Sequence, residues 1–308
     1  MLVVAALGGN ALLSRGQALT AENQRENARI AAEALARVAR AGHDLVVTHG
    51  NGPQVGLLAL QGLAYKPEEI YPLDVMGAET EGMIGYLIEQ ELENALEHSR
   101  TVATLLTQIR VDPDDPAFEA PTKFVGPVYD KAQAEEMAER HGWQIAQDGE
   151  HWRRVVPSPA PVEIPDLKVI RQLLVHGTIV VCAGGGGIPV VARPDGSLTG
   201  VQAVIDKDAA SALLADALGA DALLMLTDVE GIMRGFGTEE AERIDRLTPD
   251  EAAALDLPAG SMGPKAEAAV RFASGGAGRM AGIGRLGQAL EILEGRAGTR
   301  IAPDTEAP

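Results

Sequence analysis

The chain has little of four things, and each shortage excludes something. A single cysteine, Cys182, rules out an internal disulfide and fits a reducing compartment. It follows Thr178-Ile179-Val180-Val181 and reads as a small core residue rather than a nucleophile. Aromatic residues are only 3% of the 308 positions, so the core must be built from Ala, Val, Leu and Ile. Basic charge is scarce: Lys+Arg total 26 against 44 Asp+Glu, a formal net charge of −18, which argues against nucleic acid as a partner. No apolar run approaches a membrane span, and the opening Met1–Leu7 is too short and lacks the basic flank of a secretion signal. These features point to a soluble, cytoplasmic protein.

Lysine is the fifth scarcity: there are six, against twenty arginines. Lys66, Lys131 and Lys168 lie in polar stretches and read as surface residues. Lys123, Lys207 and Lys265 sit where a compact point charge suits an anion better than a wide guanidinium fork.

Short apolar runs alternate with amphipathic stretches. Val3–Leu7, Asp44–Thr48, Thr101–Leu106, Thr178–Ala183 and Ala222–Leu226 read as buried strands. Thr20 can cap a helix to about Ala41, with Ile30, Ala34, Leu35 and Val38 facing inward and a Glu33–Arg37 pair outside. Further helices are predicted over Asp74–Glu97, Leu167–Val175 and Ala209–Leu218. The alternation implies an α/β fold, a mostly parallel sheet with helices on both faces. Residues 110–165 break the rhythm, holding eight of the eighteen prolines and both tryptophans. At 56 residues this is too long for a structureless loop, and it reads as a small protruding, lid-like subdomain that carries Lys123.

Three glycine loops follow strands: Gly8-Gly9-Asn10, Gly50-Asn51-Gly52-Pro53 and Gly184-Gly185-Gly186-Gly187. Glycine at the carboxyl end of a parallel strand lets backbone N–H groups approach a ligand, and a following helix N-terminus favours an anion. Two such loops, each with an asparagine donor, predict a shared anion pocket, and four ordered glycines are costly enough to need a reason beyond packing. Asp208 is a good N-cap for its helix. Lys207 and Lys265 place cations at helix starts against the macrodipole, at about 0.3–1 kcal/mol each, which a bound polyanion would offset. Asp228, after a strand, suits a turn or a ribose or base contact. Gly282-Ile283-Gly284-Arg285-Leu286-Gly287 spells a dinucleotide fingerprint, but the required second strand and acid do not fit before residue 308. A nicotinamide oxidoreductase is refused on that ground.

Taken together, Leu7-Gly8-Gly9-Asn10, Thr48-His49-Gly50-Asn51-Gly52-Pro53, Pro121-Thr122-Lys123-Phe124, Ile205-Asp206-Lys207-Asp208 and Gly260-Ser261-Met262-Gly263-Pro264-Lys265 resemble the motifs of carbamate kinases, in the amino-acid kinase family, in order over residues 1–302. The resemblance implies a three-layer αβα sandwich and a homodimer. It divides the chain into a carbamate-binding lobe (1–109), the protruding subdomain (110–165) and a nucleotide-binding lobe (166–308). The implied reaction is ATP + carbamate ⇌ ADP + carbamoyl phosphate with Mg2+ carried by the nucleotide, often run toward ATP at the end of arginine deiminase fermentation. Lys123, Lys207, Asp208 and Lys265 would be catalytic. Gly8, Gly9, Asn10, Gly50, Asn51 and Gly52 would bind the carbamate or its phosphoryl group, and Gly186, Gly187, Asp206, Thr227, Asp228 and Met262 the nucleotide. The glycine-rich stretch 275–284 departs from the family pattern, far from these motifs. The alternatives are another small-acid or phosphate kinase of this fold, or a nucleotide sensor without activity, which would be expected to have lost the lysines.

Overall fold

A computed structural model describes residues 1–13, 16–68, 70–238, 240–258 and 262–304, except for the side chains of Asn10 and Ala11. In chain order the principal elements are β1 (Leu2–Leu7), α1 (Ala21–Arg40), β2 (Asp44–His49), α2 (Gly52–Tyr65), α3 (Leu73–Ala95) and β3 (Val102–Thr104). After the excursion, which carries helix α4 (Lys131–His141), come α5 (Leu167–Val175), β4 (Ile179–Val181), α6 (Lys207–Leu218) and β5 (Ala222–Thr227). The chain ends with β6 (Arg246–Leu247), α7 (Met262–Ser274), β7 (Met280–Arg285) and β8 (Thr299–Ile301).

Strands β1 to β8 form one sheet in the order β6-β8-β7-β5-β1-β2-β4-β3, parallel except where β7 meets β8. Strand alternation decides what each face packs. Val3, Ala5 and Leu7 of β1 point to one layer with Leu45 and Val47, under Leu35 and Val38 of α1 and Ile84 and Ile88 of α3. Val4 and Ala6 point the other way with Val46, Leu223 and Met225, under Leu214 of α6 and Phe272 of α7. Burial on both faces explains why these strands read as continuous apolar runs rather than alternating ones. The three-layer α/β sandwich expected from the sequence is the fold.

Two local expectations are corrected. In α1 the buried stripe runs through Ala28, Ala31, Ala32, Leu35 and Ala39, while Ile30 is 43% exposed. Alanines allow several faces of this helix to pack closely, so one isoleucine did not set its rotation. Glu33 pairs with Arg29, one turn earlier, and Arg37 reaches across to Glu291, so no Glu33–Arg37 pair forms. Thr20 does cap the helix, accepting the Asn23 N–H at 3.2 Å.

The excursion is an ordered antiparallel sheet of Lys123–Tyr129, His151–Val156 and Gln144–Asp148, with α4 against it. Its tryptophans work locally: Arg154 lies 4.7 Å over the Trp143 ring and Lys131 5.7 Å over Trp152. The proline-rich return ends in a short strand, Pro161–Glu163, paired with Gln108–Val111.

Gly282 and Gly284, the false fingerprint, lie inside β7. A Cβ on Gly284 would stand 2.8 Å from Ile292 Cδ1, 3.0 Å from the Gly298 Cα and 3.2 Å from the Glu230 carbonyl oxygen. Their role is close packing of α8 (Ala289–Leu293) and the chain end onto the sheet. Gly284→Ala is expected to destabilise the protein by about 1–3 kcal/mol through overpacking, read as a lower denaturant midpoint. An unchanged midpoint would contradict this packing account.

Candidate phosphoryl-transfer site

The carboxyl ends of β1, β2, β4 and β5 open onto a cleft of about 1080 Å3. A cleft beyond the carboxyl ends of parallel strands is where open α/β sheets bind ligands. Gly8 and Gly9 come from the end of β1, and Gly50, Asn51 and Gly52 from the end of β2. The two loops touch: a Cβ on Gly50 would lie 3.3 Å from the Gly9 backbone, which explains the need for glycine there. Asn51 occupies the N-cap position of α2, but its side chain makes no capping bond. Its Nδ2 instead donates to Thr80 Oγ1 at 2.9 Å. Asn10 falls on the turn Gly9–Leu12, with its side chain outside the described residues.

The floor is built by the starts of α6 and α7. Asp206, not Asp208, is the N-cap of α6; its Oδ1 accepts the N–H groups of Asp208 at 2.9 Å and Ala209 at 3.2 Å. Asp208 is displaced into the first turn, where it is 5% exposed and bonded to two ammonium groups. Lys207 Nζ meets its Oδ1, and Lys265 Nζ meets its Oδ2 at 3.0 Å. Burial pushes the Asp208 carboxyl up, but the two ammoniums outweigh it and hold the group below its ordinary value. Burial moves Lys207 the other way, below the usual ammonium range, and the Asp208 charge limits that fall. Lys265 lies in the first turn of α7, one residue past Pro264.

Lys123 reaches down from the excursion and bonds Asp206 Oδ2 at 2.9 Å. One carboxylate therefore caps α6 with one oxygen and holds the subdomain with the other. Thr227 and Asp228 line the cleft at the end of β5, with Thr227 Oγ1 donating to Asp228 Oδ1 at 3.1 Å. Val229, Met233, Leu257, Pro258 and Met262 give the cleft an apolar stretch from the segments around β5 and α7. In the third glycine loop Gly185 and Gly187 line the cleft. Gly186 does not, because its Cα faces the Ile205 carbonyl. Among the residues that the sequence did not assign to the site are Gly185, Thr122 and Phe124, which lie within its motifs, and Ser158 on the wall, with Thr80, Glu81 and Thr107 behind it. Cys182 is fully buried, and burial pushes its thiol far up, as a core residue requires.

His49 is fully buried at the end of β2. Its Nδ1–H donates to the Gly50 carbonyl at 3.1 Å, and Nε2 has no partner among the described residues. Burial pushes its pKa down to about 4, the Gly50 bond opposing and the Lys207 charge adding to the fall.

The chain belongs to the amino acid kinase family, whose pattern it matches over residues 1–281. It is 55% identical to a carbamate kinase of Rhizobium meliloti over 98% of this chain and 93% of that protein. It is 50% identical to a carbamate kinase of Escherichia coli K12, over 97% of this chain and 99% of the relative. Among solved structures it superposes on Giardia lamblia carbamate kinase bound to AMP-PNP with a TM-score of 0.91, at 40% identity and 98% coverage of both chains.

The buried imidazole makes a pH prediction. Its folded pKa lies below the unfolded value, so the stability it permits is present above about pH 6.5 and is lost as pH falls toward 4. His49→Asn, whose amide can still reach the Gly50 carbonyl, should remove roughly 3 kcal/mol of the acid-side loss. Denaturant unfolding between pH 7 and 4 measures this, and parallel curves for the two proteins would refute it.

Proposed function

We propose that this chain is a carbamate kinase, transferring the γ-phosphoryl of ATP to carbamate and, in reverse, making ATP from ADP and carbamoyl phosphate. The observation that carries the reading is the pairing of Lys207 and Lys265 on one buried carboxylate, Asp208, in a cleft walled by the glycine loops. In the forward direction a carbamate oxygen attacks the γ-phosphorus in line; the new O–P bond forms as the bond to the β-phosphate oxygen breaks and ADP leaves. The attacking oxygen is already anionic, so the reaction needs charge neutralisation and alignment rather than proton removal. Two like unit charges 4 Å apart repel by about 4 kcal/mol at an effective dielectric of 20, which is the barrier the lysines lower.

In this reading Lys207 and Lys265 hold the transferring phosphoryl, and Asp208 fixes both ammoniums. Lys123 exchanges Asp206 for the phosphoryl group from the subdomain side. Backbone N–H groups of Gly9, Asn10, Asn51 and Gly52 cradle the same oxygens, while those of Gly8 and Gly50 donate instead to the Leu226 and Leu7 carbonyls at 2.8 and 3.1 Å. Gly186 and Gly187 belong to the loop that borders the phosphate chain, Asp206 positions Lys123, and Thr227, Asp228 and Met262 face the nucleoside. This assigns carbamate to the 1–109 lobe, nucleotide to 166–308, and the lid to 110–165. Mg2+ fits as a companion of the polyphosphate. Asp206 and Asp208 are engaged by lysines, and among the described residues no group of three or more His, Cys, Asp or Glu could enclose a bare ion. When bound, it would neutralise phosphate charge alongside the lysines.

ATP formation from MgADP and carbamoyl phosphate is the direct test. The parent should make ATP, and Lys123→Ala, Lys207→Ala and Lys265→Ala should each lower kcat/KM by about 100- to 10,000-fold with the fold retained. ADP binding with no ATP formed would contradict the reading and leave a nucleotide sensor or another acceptor.

A homodimer is part of the proposal. Helix α2 has no charged residue and buries only Gln54 and Val55, leaving Leu60 47% and Tyr65 90% exposed. An uncharged helix with so little cover supports a two-fold interface in which each copy shields the other. Leu60→Glu should convert a dimer to a monomer in sedimentation equilibrium, and a monomeric parent would contradict it.

A further inference from the structure

Behind the cleft, α3 carries two adjacent polar residues, Thr80 and Glu81, that are fully buried. They lie on the helix face of Leu73, Met76, Ile84, Ile88 and Leu92, where an apolar pair would pack at lower cost. Each holds a different ligand loop. Thr80 Oγ1 accepts the Asn51 amide from the loop after β2, while its own proton faces the carbonyls of Met76 and Gly77. Glu81 Oε1 accepts the Gly184 N–H at 2.8 Å from the loop after β4. Its Oε2 accepts the Thr107 N–H at 3.1 Å from the segment after β3.

The contacts continue beyond these two. Thr107 Oγ1 accepts the Ala183 N–H at 3.0 Å, and the Thr107 carbonyl accepts the Ile188 N–H at 2.8 Å, so the four-glycine loop is held at both ends. Ala183 sits at φ 50° and ψ 38°, a left-handed conformation that costs an alanine about 1–2 kcal/mol and persists only when its surroundings over-determine it. A Cβ on Gly184 would overlap the His49 ring, and one on Gly185 would overlap Asn51. The two loops are therefore in direct contact, with their spacing set from behind.

We propose that Thr80 and Glu81 are positioning residues that lock the Asn51 loop and the Gly184–Gly187 loop into one wall of the cleft, without touching substrate. This rests on reading the cleft as the phosphoryl-transfer site. Glu81 suits the task because both oxygens of a carboxyl group can accept, and they face two N–H donors from separate segments. Burial pushes its pKa up to about 8, while the Thr107 and Gly184 bonds pull it back and Asp166 adds to the rise. Burying an ionisable group that bonds the backbone of two separate segments points to a geometric requirement rather than a packing one.

Glu81→Gln tests the proposal, because it keeps the shape but presents an NH2 group to one of the two donors. We expect kcat for ATP formation to fall about 10- to 100-fold, as sub-ångström misplacement of aligned groups does, with ADP affinity held within about threefold. Amide hydrogen exchange at residues 183–187, measured on the whole protein by mass spectrometry, should become faster. Unchanged kcat and unchanged exchange would overturn the proposal. So would equal losses in kcat and ADP affinity that follow a global fall in stability. Should Glu81→Gln fail to fold, Thr107→Val removes the acceptor of the Ala183 N–H from the same loop and is judged by the same criteria. Faster exchange in a variant of a parent that forms no ATP would uphold the positioning role while refuting the carbamate kinase reading.

Discussion

The ion-pair arrangement of Lys207, Asp208 and Lys265 is the constraint on which the site depends. Two ammoniums brought together at the starts of α6 and α7 repel each other and oppose the helix dipoles. A single carboxylate between them makes the arrangement stable without a ligand and leaves an excess of positive charge. Breaking such a buried arrangement by removing one partner is costly, so the fold has to deliver all three side chains at once. It does so because α6 follows the Asp206 cap and packs on β1 and β5, while α7 packs on α6 and β7. Ser211 adds a direct tie to the carboxyl end of β2 by sharing a 2.6 Å hydrogen bond with Thr48.

The rest of the cleft is built from uncharged loops around that charge. Glycine loops at the ends of β1, β2 and β4 line it together, and the close approach of Gly50 to Gly9 leaves no space for side chains between them. Lys123 adds a cation on a separate sheet, docked on the same aspartate that caps α6. Ligand charge, helix capping and subdomain position therefore meet at neighbouring residues, Asp206 to Asp208.

Much of this was legible in the sequence for identifiable reasons. Strands buried on both faces read as unbroken apolar runs, and lysine stood out because the chain otherwise uses arginine. The sequence placed the cap of α6 on Asp208 because either aspartate suits that position, and only three-dimensional contact with Lys265, 57 residues away, shows which one is free to turn inward. Ile30 misled because alanine-rich helices carry a weak stripe. Glu81 was passed over although it occupies a core position in the spacing of α3; a charged residue there was the available signal, but its partners are backbone N–H groups that spelling does not reveal. Gly186 and Gly185 could not be told apart without the backbone turn that sets one against Ile205 and the other against Asn51.

The central claim is that Asp208 serves catalysis by fixing two lysines rather than by binding nucleotide itself. Asp208→Asn examined side by side for ADP affinity and for the rate of ATP formation from carbamoyl phosphate tests this most directly. The account predicts ADP binding within about tenfold of the parent and a rate lower by about 100-fold or more. A rate close to that of the parent, or a loss confined to ADP affinity, would contradict it.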